Sequence, residues 1–284
     1  MKSLQRFAEA QVARVWLLLV YVFLYLPLLF LIVFSFNSTR QDGIFTGFSL
    51  RWYEALWADS RLVDGFLLSL KVALVSATFS VVLGSFAAFV LVRYLRFRGR
   101  TLFYGLVNAP LVMPEVITGM SLLLLMVFVQ RMVGWPDRGF ITIVAGHTLL
   151  GMAYATVVIQ SRLSGEVDRS IEEAAMDLGC GPMQVFFLVT LPTIAPALVS
   201  AWLLSFTLSF DDVVISEFLS GPGVTTLPQV IFGYARRGVN PSIYAAATLL
   251  IAVVSLGIVL YSISMLRRQR RLDRDIRELA RPGP

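Results

Sequence analysis

Six apolar stretches, each long enough to cross a lipid bilayer, leave this chain of 284 residues few ways to fold. They cover about 15–36, 66–92, 102–129, 139–160, 184–210 and 242–266. Roughly 20 apolar residues in a helix span a hydrocarbon core of about 30 Å, because each adds ~1.5 Å of rise. In lipid every backbone N–H and C=O must find its partner inside the protein, so apolar runs of this length are read as helices. Composition agrees: 57% of the residues are hydrophobic and 15% charged, against roughly 25% charged in a soluble domain. The expectation is an all-α integral membrane protein, one domain over 1–284, with six transmembrane helices. The first stretch exceeds a signal-peptide core and lacks a small-residue cleavage site, so it is kept as a span. Pro27, Pro110, Pro114, Pro192 and Pro196 lie within or at the edges of these runs. Neighbouring helices or a water-filled cavity can satisfy the backbone groups they free.

Loop charge gives the orientation, because Lys and Arg concentrate on the cytoplasmic side. Of 24 basic residues, sixteen fall before the first span, at 93–100, at Arg162 and Arg169, and from Arg267 to Arg281. Seven fall on the other side, and Lys71 lies inside a span. Both termini and the 161–183 loop are therefore expected in the cytoplasm. The net charge of +6 follows this asymmetry and implies no nucleic-acid partner. The basic tail, 267–284, with Leu272, Ile276 and Leu279, reads as a segment lying on anionic membrane lipid. Trp52, Tyr53 and Trp57 in the 37–65 segment read as an aromatic belt at the opposite interface.

Several chemistries are excluded by residue type. With one cysteine, Cys180, and one histidine, His147, the chain has no internal disulfide and no His or Cys metal cluster. A P-loop needs Gly-Lys-Ser/Thr, yet the two lysines, Lys2 and Lys71, follow Met1 and Leu70. The chain is expected to be no enzyme and to carry no cofactor, leaving any ATP and magnesium to another subunit. His147 reads as a residue bonded to a helix backbone within its span, and Cys180 as a small residue in a turn.

The 161–183 loop is acidic, with Glu166, Asp168, Glu172, Glu173 and Asp177. Ser170-Ile171-Glu172-Glu173 has the Ser-x-x-Glu form of a capping box, predicting a short helix from near Ile171. Gly179 suits a left-handed helix end and Pro182 the first turn of a following helix. The loop should therefore be a compact knob rather than a minimal hairpin.

Ionisable groups within spans mark functional candidates, since each costs roughly 2.5–3.5 kcal/mol or more to place there. Glu115 lies about 14 residues into the third span, ~21 Å deep, just after Pro110 and Pro114. A broken helix there would carry a carboxylate near mid-bilayer. Asp211 and Asp212 stand at the outer end of the fifth span, and Glu217 follows in an apolar stretch, 213–219, that re-enters the membrane. Trp202, Phe206 and Phe210 add aromatic faces that attract an ammonium group. A cation path is one reading of this set. Glu115 paired with Lys71 or Arg131 for assembly, and the aspartates as a solvated helix end, is the other.

The loop carries a further pattern: Glu173-Ala174-Ala175, then Gly179, then Val189-x-Leu191-Pro192. This resembles the "EAA" loop of binding-protein-dependent ABC importer permeases, with Val189 where that family usually has isoleucine. Ala109-Pro110-Leu111-Val112-Met113-Pro114-Glu115, Phe206 to Ile215, Gly221-Pro222-Gly223 and Thr225-Thr226-Leu227-Pro228 are similar to the polyamine branch, putrescine more than spermidine. The resemblance runs from about 14 to 266. It implies the type I importer permease fold, with a cytoplasmic coupling helix between spans four and five. It also implies a bacterial inner-membrane location, two copies of a cytoplasmic ATPase, a second homologous permease forming a heterodimer, and a periplasmic polyamine-binding protein. On this reading Glu173, Ala174, Ala175, Asp177 and Gly179 couple to the ATPase. Glu115, Asp211, Asp212, Trp202, Phe210 and Glu217 would line the substrate path. A permease for ferric ion or an amino acid is the nearest alternative. An ion-coupled secondary transporter is a more distant one, since no broken-helix repeat is evident.

Overall fold

The computed structural model describes residues 2–39, 44–165, 169–236 and 241–252, with further helical positions between 255 and 267. Glu166, Asp168 and the basic tail from 268 onward, with Leu272, Ile276 and Leu279, lie outside the described residues. Among those described, regular structure is helical, apart from one isolated bridge between Asn37 and Phe48. The chain forms two compact units, Ser60–Gly233 and, separately, Met1–Asp59 with Tyr234–Pro284.

The second of these units begins with α1, Lys2–Ser35. From Gln11 to Ser35 its hydropathy is that of a membrane span, and apolar side chains such as Trp16 and Phe23 are exposed around it. The chain then folds back over Asn37, whose side chain accepts from the Thr46 N–H and donates to the Ile44 carbonyl. Buried Trp52 of α2, Arg51–Ala58, donates its indole N–H to the Asn37 carbonyl at 2.7 Å. The same unit holds a shorter apolar helix, Pro241–Gly257, within the sixth predicted span.

The larger unit is built on three long helices: α3 (Ser60–Arg93), α6 (Phe140–Gly165) and α9 (Leu191–Phe210). Each presents small residues every fourth position. These rows are Ser76, Ser80, Gly84 and Ala88 on α3, Gly151 and Ala155 on α6, and Ala197, Ala201, Ser205 and Ser209 on α9, all buried. Residues four apart form one ridge of a helix. Small ridges let backbones approach closely where lipid supplies no hydrophobic drive for helices to associate. A Cβ on Gly84 would come within 2.8 Å of the Ala155 Cβ and 3.0 Å of the Thr156 nitrogen. Ser80 and Ser205 donate to the Thr148 and Gly151 carbonyls across the seam. Contacts of 80 with 151 and 84 with 155 show α3 and α6 running in the same direction. Those of 205 with 151 and 209 with 147 show α9 running against them.

The third predicted span, 102–129, is two helices, α4 (Arg100–Val112) and α5 (Glu115–Val133). Met113, extended at ψ 137, and Pro114 separate them. A proline disfavours helical geometry in the residue before it, so the break falls at Met113. Pro110 stays inside α4. Among the described residues, five helical segments are long and apolar enough to cross a membrane: Gln11–Ser35, Ser60–Arg93, Glu115–Val133, Phe140–Gly165 and Pro182–Phe210.

Candidate functional site

Two regions at opposite ends of the α3–α6–α9 bundle gather the chemistry. The first is the knob between α6 and α9. Helix α7, Arg169–Asp177, covers the expected start near Ile171. It ends as the sequence suggests: Gly179 takes φ +92, the Cys180 N–H reaches back to the Ala175 carbonyl, and the Gly179 N–H reaches the Met176 carbonyl. This pair of bonds is the Schellman motif, which satisfies carbonyls a helix end leaves open. The next helix, α8 (Pro182–Val185), starts with proline in its first turn, and the Gln184 side chain accepts the Gly181 N–H at 2.8 Å. It runs without a break into a π turn, Phe186–Thr190, and then α9. Pro192 has no N–H to offer the turn before it, and a wider i→i+5 turn appears where that bond is missing.

The outer surface of this knob is apolar and polar by turns. Leu178 is 87% exposed and Met183 70%. Glu173, Ala174, Asp177 and Gly179 are exposed beside them, and Ala175 is half-buried. On the inner side Glu172 accepts from Arg93 at the end of α3 and, at 2.6 Å, from the Thr190 hydroxyl.

The second region surrounds the far end of α9. Here α10, Val214–Leu219, packs between α5 and α6: Phe218 lies over Gly119, while Ile215 and Leu219 lie over Gly146. His147 is the hub. Ser209 Oγ lies 2.6 Å from its Nδ1, and Asp212 Oδ2 and Ser216 Oγ lie 3.1 Å from its Nε2. Ser76 donates to Ser209, which ties α3 into the cluster. Asp212 also accepts the backbone N–H of Ser216 at 2.8 Å and of Ile215 at 3.3 Å. A small cavity borders this cluster, lined by Leu150 and Leu208 as well as by His147, Ser205, Ser209 and Asp212.

This arrangement revises one expectation. His147 is bonded to side chains rather than to a helix backbone, because Ser209, Asp212 and Ser216 converge on its ring. Asp211 and Asp212 stand just past Phe210, where α9 ends. The level of Asp212 is that of His147, seven residues into α6, or ~10 Å from where that helix begins. The two aspartates also differ: Asp212 is drawn inward, whereas Asp211 is exposed.

Glu115 opens α5 and is exposed, and it forms no ion pair with Lys71 or Arg131. Leu122 of α5 comes within 3.6 Å of where a Gly146 Cβ would stand. Seven residues back along α5, ~10 Å, Glu115 is therefore near the level of Ala153, the middle of α6. Trp202, Phe206 and Phe210 stack along α9 with ring centroids 5.3 and 5.8 Å apart, and Phe66 meets Phe210 edge-on. This half-buried ladder leads to Asp211. Glu217 accepts from the Gln229 amide at 2.9 Å.

Comparison with known proteins places this architecture. Residues 80–277 match the family described as "Binding-protein-dependent transport system inner membrane component". The chain belongs to that family. Among its relatives, the putrescine transport system permease protein PotI of Escherichia coli (strain K12) is 51% identical over 93% of this chain and 94% of its own length. The spermidine/putrescine transport system permease protein PotC of Haemophilus influenzae is 38% identical over 87% and 93%. A chain of a bacterial ABC transporter that imports alginate superposes with a TM-score of 0.73 at 17% identity, covering 94% of this chain and 98% of that one. A chain of the MetNI methionine transporter gives 0.57 at 19% identity, over 76% and 97%. The fold is thus that of type I ABC importer permeases, with α7 as its helix between the fourth and fifth spans.

Within the permease, some residues escaped the sequence reading. Glu172 was visible only as one acid among five, and Ser76, Ser209 and Ser216 not at all. The four-residue rows of small side chains were the available signal for Ser76 and Ser209. For Glu172 the signal was an arginine closing the second span.

Proposed function

We propose that the chain is the membrane-spanning subunit of an ATP-driven polyamine importer, with putrescine preferred over spermidine. The observation that carries this is 51% identity to a putrescine permease across nearly the whole of both chains, against 38% for a spermidine/putrescine permease. The carboxylates support it physically. An anion permease needs basic groups or helix N-termini along its path, whereas the exposed acids Glu115, Asp211 and Glu217 here outnumber Lys71, the exposed base in the middle of α3.

In this reading the loops rich in arginine, both termini and the α7 knob face the cytoplasm, and the α10 region faces outward. A periplasmic binding protein delivers the diamine to the α10 side. Asp211 and Glu115 contact its ammonium groups, with the Trp202–Phe206–Phe210 ladder between them adding cation–π attraction. Asp212, held by His147, fixes the turn that presents Asp211. Glu217 borders the entrance. The chain pairs with a homologous permease, and two ATPase subunits bind ATP and magnesium. One of them seats the knob through Glu173, Ala174, Ala175, Asp177, Gly179 and exposed Leu178, so that closure moves the spans as rigid bodies.

The test is uptake of labelled putrescine into vesicles holding the assembled complex. Wild type is compared with Glu115→Gln and Asp211→Asn. Loss of uptake with intact assembly and ATP hydrolysis is the expected result. Undiminished uptake in both variants overturns the carboxylate path.

A further inference from the structure

We propose that Glu172, clasped between Arg93 and Thr190, is the joint through which the knob moves the membrane helices. The inference rests on the transport reading above and names the positioning residue within it. Arg93 is the last residue of α3, Glu172 lies in the first turn of α7, and Thr190 closes the π turn that leads into α9. Both donors reach the same carboxylate oxygen, Oε1. The Arg93 and Glu172 side chains are only 14% and 13% exposed, so the pair is shielded from water and its attraction is less screened. Beside it Phe89 of α3 meets Phe186 of the π turn edge-on at 5.9 Å.

The apolar residues of α7 face away from the bundle. Ile171 and Met176 are exposed, as is Leu178 just beyond the helix. Its packing is against α8 and the π turn. In sequence α7 is followed by α8 and preceded by α6, so nothing covalent ties it to α3. The carboxylate supplies that tie and adds one to α9. Those two helices meet again at Ser76 and Ser209, about five turns deeper. A push on the knob is thereby delivered to α3 and α9 together. With the carboxylate gone, α7 can swing about the Gly179 turn while α3 stays in place.

The measurement is putrescine uptake per ATP hydrolysed by the full complex in vesicles, alongside co-purification of the ATPase. In Glu172→Gln the ATPase should still co-purify and hydrolyse ATP, while uptake per ATP falls roughly 5- to 150-fold, the span of a typical coupling free energy. Thr190→Val, which leaves the ion pair in place, should shift the same ratio less, and Arg93→Lys, which keeps the charge, should retain more of it than Arg93→Gln. An unchanged ratio in Glu172→Gln overturns the proposal. So does a parallel fall of uptake and hydrolysis in both Glu172→Gln and Thr190→Val, which marks a merely structural contact. If Glu172→Gln does not assemble, the Thr190→Val ratio decides. Wild type that hydrolyses ATP yet moves no putrescine refutes the substrate reading instead, a result independent of the variants.

Discussion

The knob at one end of the α3–α6–α9 bundle and the His147 cluster at the other are built by opposite means. The turn of the knob is shaped by bonds between residues close in sequence, from Ala174 to Gln184, with Glu172 reaching far along the chain. The knob turns apolar side chains outward. The cluster is shaped by bonds between residues 62 to 133 apart and turns polar side chains inward. A surface meant for another protein needs a firm local form with unsatisfied faces. A polar group placed among packed helices needs every partner supplied from within, because leaving one unpaired there costs more than the bond is worth in water. The comparison predicts that substitutions in the cluster act on stability and those on the knob's surface act on assembly.

The largest effect is expected from His147→Ala. It leaves buried Asp212 without its ring partner, and removing one member of a buried pair costs about 3 kcal/mol. Thermal unfolding of the purified complex should show it, and adding Asp212→Asn should recover part of the loss. Gly84→Ala should follow, at about 1–3 kcal/mol for overpacking, because its Cβ would meet the backbone of α6 rather than a movable side chain. Gly179→Ala should cost about 1 kcal/mol through its left-handed φ and also weaken ATPase co-purification. Leu178→Ser should leave stability within about 0.5 kcal/mol, as surface changes do, while reducing co-purification. A stability loss for Leu178→Ser as large as that for His147→Ala would erase the distinction.

The same division explains what could be read beforehand. Gly179 and Pro182 announce the knob's turn because left-handed φ and a missing N–H are properties of single residues. Apolar length announces the spans, and Pro114 announces the broken helix that separates α4 from α5 before Glu115. The partners of Glu172 and of His147 were hidden. They lie 79 and 65 residues away, and only helix rotation and register bring them together. The difference between Asp211 and Asp212 was hidden likewise: adjacent in sequence, they leave the end of α9 in different directions.

The most direct test of the account is putrescine uptake by vesicles containing the assembled complex, with and without its ATPase subunits, at fixed ion gradients. The account predicts uptake that requires both the ATPase and enclosed ATP, and that persists when ion gradients are collapsed. Uptake that continues without the ATPase and stops when the gradients collapse would contradict it and make the chain a self-sufficient carrier.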